Sequence, residues 1–349
     1  MIPLYLTGIG SVSPYGVFSG VIPKSPLEAR LITHWENAEA RRAYTVEPFR
    51  PAQFVPGIKT RRLDRLSTWA LVASSLAIQD AGIDLAQVNR SRVAIVLSTN
   101  FGCVELTEAF LHSAATRGWA ATDPILFPET LANSPASHVA LFHQLRGPNI
   151  TVAAKSFGAE SALLQAASLL RHGHADIAIV LAGDVLTQAI YQWYEQAGVL
   201  SPECFSIEPT NSAAGFIPSE GMAAIVMEGQ GRNFTSPYAR LIDGHWASGG
   251  DTLIDVRRLM DNWQPTLVIC TCNGEPCANC ISANSAGKFI GPQAQSIPPE
   301  RFAAGLADTG GLFHLILAMR GLERSENALM LGTSGAHGHA AVRLEVLPV

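Results

Sequence analysis

Residues Gly147 to Asp184, GPNITVAAKSFGAESALLQAASLLRHGHADIAIVLAGD, constrain the fold more than any other stretch of the chain. Ile150, Thr151 and Val152 are β-branched and predict a buried strand. Ser156-Phe157-Gly158-Ala159 predicts a sharp turn, and Ala162 to Arg171 carries apolar residues at helical spacing. The helix stops at His172-Gly173, and Ile177 to Ala182 is a second fully apolar run. The unit is strand, elbow, helix, strand, which demands an α/β body with a parallel sheet. One polar side chain, Ser156, stands at the elbow. Serines at helix starts are most often caps; the same position, facing backbone amides and a helix dipole, also suits a nucleophile.

The chain has 349 residues, 48% of them hydrophobic and 15% charged, enough for a large core in one compact body or two fused halves. A net charge of −5 argues against nucleic acid or an anionic membrane as the main partner. No apolar run reaches the ~20 residues of a transmembrane helix and no signal-peptide core follows the first residues, so the expected location is cytoplasmic. Of six cysteines, Cys270, Cys272, Cys277 and Cys280 cluster in CTCNGEPCANC. That spacing fits no common zinc knuckle, and the first two end an apolar strand, so buried structural thiols are expected and no metal.

Elsewhere, Tyr5 to Gly16 predicts a strand running into a turn, and residues 17–57, rich in proline, an irregular excursion. Asp64 to Ala81 predicts an amphipathic helix ended by Gly82, Arg92 to Ser98 a buried strand, and Leu106 to Ala115 and Asn133 to Leu145 helices. Beyond the elbow unit, Ala189 to Ala197 predicts a helix and Gly215 to Glu228 a hairpin. Arg240 to Gly244 and Leu267 to Thr271 predict strands, Ile254 to Trp263 and Arg301 to Gly321 helices, and Asn327 to Leu331 with Ala340 to Val346 a closing hairpin.

The spacing of Pro128 and Asn133, then LRGPNITV, the elbow and GHAD, resemble the β-ketoacyl-ACP synthases of fatty-acid and polyketide assembly. YLTGIGSVSPYG and the DAGI helix end are similar to the same family. The resemblance implies the thiolase fold: two similar α/β halves, 1–229 and 230–349, packed as five αβαβα layers, the second half shortened. It also implies that Glu220 occupies a structural glutamate position. The family's acyl-accepting cysteine falls on Ser156, a far weaker nucleophile without a base.

The family's two histidines fall near Thr271 and on Gly305 or Leu306, its lysine near Glu300, and its closing glycine-phenylalanine loop on GTSGAHGHA, which introduces His337 and His339. His314 lies along the last predicted helix and is expected to be packed or on the surface. With the catalytic set missing and the scaffold intact, the chain resembles the family's chain length factors. The resemblance implies a heterodimer with a catalytic ketosynthase subunit, the strand from Ile150 to Ala154 pairing across the dimer axis. It implies that Thr107, Phe110, Leu111 and Phe157 line tunnel or interface, that Lys59, Arg61, Arg62 and Arg65 meet an acyl carrier protein, and that no cofactor is needed. Two other readings remain open: a Ser156-dependent acyltransferase or hydrolase on carrier-bound acyl groups, and a homodimeric acyl-binding scaffold.

Overall fold

The computed structural model describes residues 2–22, 27–32, 35, 41–153, 157–205, 215–229, 236–247, 263–270, 295–297, 306, 309–319, 325–333 and 339–348. The first half contributes β1 (Leu4–Ser13), β5 (Val93–Ser98), β6 (Asn149–Val152), β7 (Ile177–Asp184) and β8 (Gly221–Gly229). They lie in the order β6-β5-β7-β8-β1, with β5 parallel to both β6 and β7 and the last two strands antiparallel. The second half repeats this with β9 (Ala239–Ala247), β10 (Leu267–Cys270), β11 (Gln295–Ile297), β12 (Glu326–Thr333) and β13 (His339–Val346), ordered β11-β10-β12-β13-β9. Counted from each half's own first strand, both sheets read 3-2-4-5-1 with the same strand directions. The halves join where Leu4–Leu6 of β1 pairs with Ala239–Leu241 of β9.

Helix α1 (Arg65–Asp80) and α3 (Ser134–His143) cover the outer face of the first sheet, α1 on β1 and β8, α3 on β5 and β6. Helix α4 (Gly158–Arg171) lies between the sheets, touching β5, β7 and β8 on one side and β9, β12 and β13 on the other. Beside it packs α6 (Gly311–Ala318), buried along its whole length. Four layers are thus described; the helix expected over Ile254 to Trp263 lies outside the described residues except for Trp263, which is not helical. The remaining elements are α2 (Val104–Arg117), α5 (Gln188–Gln196) and the short strands β2 (Gly16–Ser19), β3 (Arg30–Ile32) and β4 (Arg41–Ala43) within the stretch expected to be irregular.

Local chemistry explains the close fit of α1 on the sheet. Asp64 caps it, accepting from the Leu66 amide at 2.7 Å, and Gly82 at φ +60° ends it. Gly8 and Gly10 of β1 leave no Cβ to hold the helix off: one built on Gly10 would lie 2.1 Å from the Ala73 carbonyl oxygen.

One element differs from expectation. Gly215 to Glu228 is not a hairpin: β8 begins only at Gly221, and its partners are β1 and β7. Residues before it form isolated parallel bridges, Phe216 with Leu200 and Ser219 with Tyr44. Pro218, which has no amide to donate, interrupts any ladder there.

Candidate functional site

The elbow is framed by the end of β6 at Val152 and the start of α4; Ala154, Lys155 and Ser156 lie outside the described residues. Phe157 occupies the N-cap position of α4, without a side-chain capping bond, and is buried. It packs where β12 passes: a Cβ on Gly332 would come 2.9 Å from Phe157 Cβ and 2.9 Å from Glu160 Oε1. One on Gly311 of α6 would meet the same Glu160 oxygen at 3.0 Å. Two glycines therefore make room for a glutamate only 1% exposed, one turn into α4. His314, expected to be packed or on the surface, is packed, 4% exposed on α6 one turn beyond Gly311. The seam between the halves thus holds Glu160 and His314, and a third ionisable group, Asp184, closes β7. Their only sequence signal is an acid or histidine inside an otherwise apolar element.

The residues expected at tunnel or interface separate. Thr107 of α2 is half-buried, its hydroxyl 2.9 Å from the Cys103 carbonyl and 3.1 Å from that of Thr130. Phe110 is held in its own chain between Trp119 and Phe127, with ring centroids at 6.4 and 5.8 Å. Leu111 faces outward, 51% exposed. Other large apolar side chains are exposed on segments that pack against α2 or α3 or on α3 itself: Trp119, 71% exposed, with Ile125, Phe127, Leu131, Leu141 and Phe142. Beside these residues runs β6, which among the described residues has β5 as its one sheet partner.

The basic cluster also divides. Lys59, Arg61 and Arg62 are exposed. Arg65 is tied into its own chain by ion pairs while its side chain stays 42% exposed. It donates to Glu105 at 2.7 Å and to buried Glu220 at 3.2 Å, reaches the Leu186 carbonyl and lies 5.3 Å from the Trp69 ring centre. Glu220 in turn accepts from the amides of Val46 and Leu186 at 3.0 and 3.1 Å. Arg65, Glu105 and Glu108 then line an open cleft of about 630 Å³ with Trp35, His112 and Thr187. His337 and the cysteine run 272–280 lie outside the described residues, as do the histidine-equivalent positions Thr271 and Gly305; Leu306 is buried. Among the described residues no group of three metal-ligating side chains converges, and no helix is long and apolar enough to cross a membrane.

The buried ionisable groups set a pH response. Burial pushes the Asp64 carboxyl up to about 6 and that of Asp184 up to about 7. Burial, with the charge of Arg90, holds His143 down to about 4. A raised acid contributes stability below its unfolded pKa and loses it as pH rises through the folded one; a depressed histidine loses it as pH falls. Between pH 5 and 8 the acids lose more than the histidine regains, a net fall of about 2 kcal/mol. The melting midpoint should drop by a few degrees over that range, read by calorimetry. Asp184→Asn should abolish the drop.

Residues 28–232 match the family model described as beta-ketoacyl synthase, N-terminal domain. A 3-oxoacyl-[acyl-carrier-protein] synthase 2 of Vibrio harveyi is 26% identical over 184 residues, 51% of this chain and 44% of that protein. The chain thus spans about half the length of the relatives it matches. Among solved structures, the ishigamide ketosynthase/chain length factor superposes with a TM-score of 0.76 at 19% identity, covering 99% of each chain. A type II polyketide acyl carrier protein in complex with its ketosynthase contains a chain at TM-score 0.77 and 15% identity, covering 99% of this chain and 100% of that one. At these identities the likeness is one of fold, and the fold is thiolase-like.

Proposed function

Because the chain belongs to the β-ketoacyl synthase family, we propose that it serves as a non-catalytic, chain-length-factor-like subunit that pairs with a catalytic β-ketoacyl synthase. The observation that carries this reading is the exposed apolar face of Leu111, Trp119, Ile125, Phe127, Leu131 and Leu141 beside the one-sided strand β6. Such a face, next to unpaired strand groups, is costly in water and favours association. Serine at the elbow, and the absence of histidine from the two matching sequence positions, support shape rather than chemistry. On this reading Thr107, Phe110, Leu111 and Phe157 form the wall offered to the partner's acyl tunnel. Lys59, Arg61 and Arg62, exposed on an acidic chain, suit an anionic carrier protein.

Co-expression with a ketosynthase bearing an elbow cysteine tests the proposal, with products and intact masses of both chains read from the purified pair. Equal recovery is expected, with acyl mass on the partner and none on this chain. Phe110→Ala would open space between Trp119 and Phe127, where each added methylene gains about 0.8 kcal/mol on burial. Two methylenes then shift the product preference roughly tenfold toward a longer chain. An acyl adduct on this chain that vanishes in Ser156→Ala would replace the proposal with the acyltransferase reading. An unchanged product distribution would remove length-setting from α2.

A further inference from the structure

The cleft beside α2 holds more negative than positive charge. Glu105, Glu108 and His112, at helical spacing on one face of α2, line it together with Arg65, Trp35 and Thr187, around a volume of about 630 Å³. The Arg65 guanidinium is already committed. It donates to Glu105 Oε1 at 2.7 Å, to buried Glu220 at 3.2 Å and to the Leu186 carbonyl oxygen at 3.3 Å. Glu108 receives only a hydroxyl, that of Thr187 at 2.7 Å, and among the described residues no basic side chain reaches it. With Glu220 behind the cleft counted, three carboxylates share one guanidinium. Trp35 adds an aromatic wall. Its ring makes a T-shaped contact with Tyr191, centroids 5.3 Å apart, and the buried Tyr191 is anchored through its hydroxyl to the Arg42 carbonyl at 3.3 Å.

We propose that this cleft binds a small organic cation, an alkylammonium or guanidinium compound, with its charge on Glu108 and the outer oxygen of Glu105 and its carbon skeleton against Trp35. The volume is that of a whole small molecule rather than of one side chain. Both halves of such a ligand find a partner here, since an ammonium is drawn to carboxylates and to an indole alike. Thr187 Oγ1, itself 3.3 Å from the Ile190 amide, holds the Glu108 carboxylate in place before any ligand arrives. A metal ion fits less well: among the described residues no three metal-ligating side chains converge. An anion would face two carboxylates and a guanidinium that is already paired. The site is thus opposite in sign to exposed Lys59, Arg61 and Arg62, which suit an anionic partner. It lies wholly within this chain and does not rest on the pairing reading.

Calorimetric titration of the full chain at low salt tests it, with putrescine as the cation and the diol of the same chain length as its uncharged counterpart. Putrescine should bind and the diol should not, and the putrescine affinity should fall as salt is added. Glu108→Gln, which keeps an acceptor for Thr187, should weaken putrescine by about tenfold, and Trp35→Leu by about fivefold. Ala109→Lys, at an exposed position of α2 that lines the cleft, sets a tethered ammonium in the site and should abolish binding. That variant also decides the matter should the other two not fold. No saturable heat from putrescine up to about 10 mM, equal binding of the diol, or full putrescine affinity in Ala109→Lys would overturn the site. Binding unchanged in both Glu108→Gln and Trp35→Leu would put the cation elsewhere on the molecule and overturn it as well.

Discussion

Glu220→Ala should cost about 3–5 kcal/mol of unfolding free energy, measured by urea denaturation. That is a large share of the roughly 5–15 kcal/mol that holds an ordinary domain together. The glutamate is 2% exposed and joins three separated segments: Val46 after β4, Leu186 after β7 and Arg65 at the start of α1. Alanine leaves two buried amides without their acceptor and one guanidinium without its inner carboxylate. Arg65→Ala should cost less, because its side chain is 42% exposed and water replaces part of what is lost. Glu220→Gln, which keeps a carbonyl oxygen for one of the two amides and sets an NH2 group against the other, should fall between the two. A loss below about 1 kcal/mol for Glu220→Ala would mean that these segments are held by their packing alone.

A single methyl on Gly10 should have a comparable effect, about 3–4 kcal/mol, also read in urea. Its Cβ would stand 2.1 Å from the Ala73 carbonyl oxygen and 2.7 Å from the Ala77 amide nitrogen, both helix backbone that no rotamer change can move. Helix α1 would have to rise off β1 and lose contact with β8 as well. Gly229→Ala, in the same sheet, is the control. Its Cβ would meet only Ile2 Cγ2 at 3.8 Å, so a change within about 0.5 kcal/mol is expected. If both variants unfold alike, the helix–strand approach is more forgiving than its distances imply.

The elements that were legible in the sequence are those whose partners hardly matter. β7 and α1 are predicted within a few residues because a fully buried strand and an amphipathic helix write their burial into their own composition. The place of β8 is not legible because its apolar run is as compatible with folding back on itself as with joining two strands. The choice between these is made by β1, more than two hundred positions earlier. Arg65 was grouped with Lys59, Arg61 and Arg62 by adjacency, whereas its inner partner is 155 positions away. Glu160 and Asp184 were passed over for the same reason: an acid among apolar neighbours acquires a role only from what the fold brings opposite it. Phe110 is placed at a tunnel wall by the family resemblance; what the sequence does not show is that Trp119 and Phe127 pack on its ring within its own chain.

The pairing of β1 with both β8 and β9 has a consequence for how the chain is made. Apart from β2, which follows it directly, Leu4–Ser13 has β8 as its long partner and β9 as its second, so those two edges stay empty until residues 221–247 have been synthesised. Contacts of such sequence separation form slowly. Until then an apolar strand that α1 can cover on one face keeps those edges open, a condition in which nascent chains aggregate or recruit chaperones. Strands β5, β6 and β7 with α4 can assemble earlier, since their partners lie within about ninety residues of one another. The strands around the elbow can therefore pair before Leu4–Ser13 finds its place between β8 and β9.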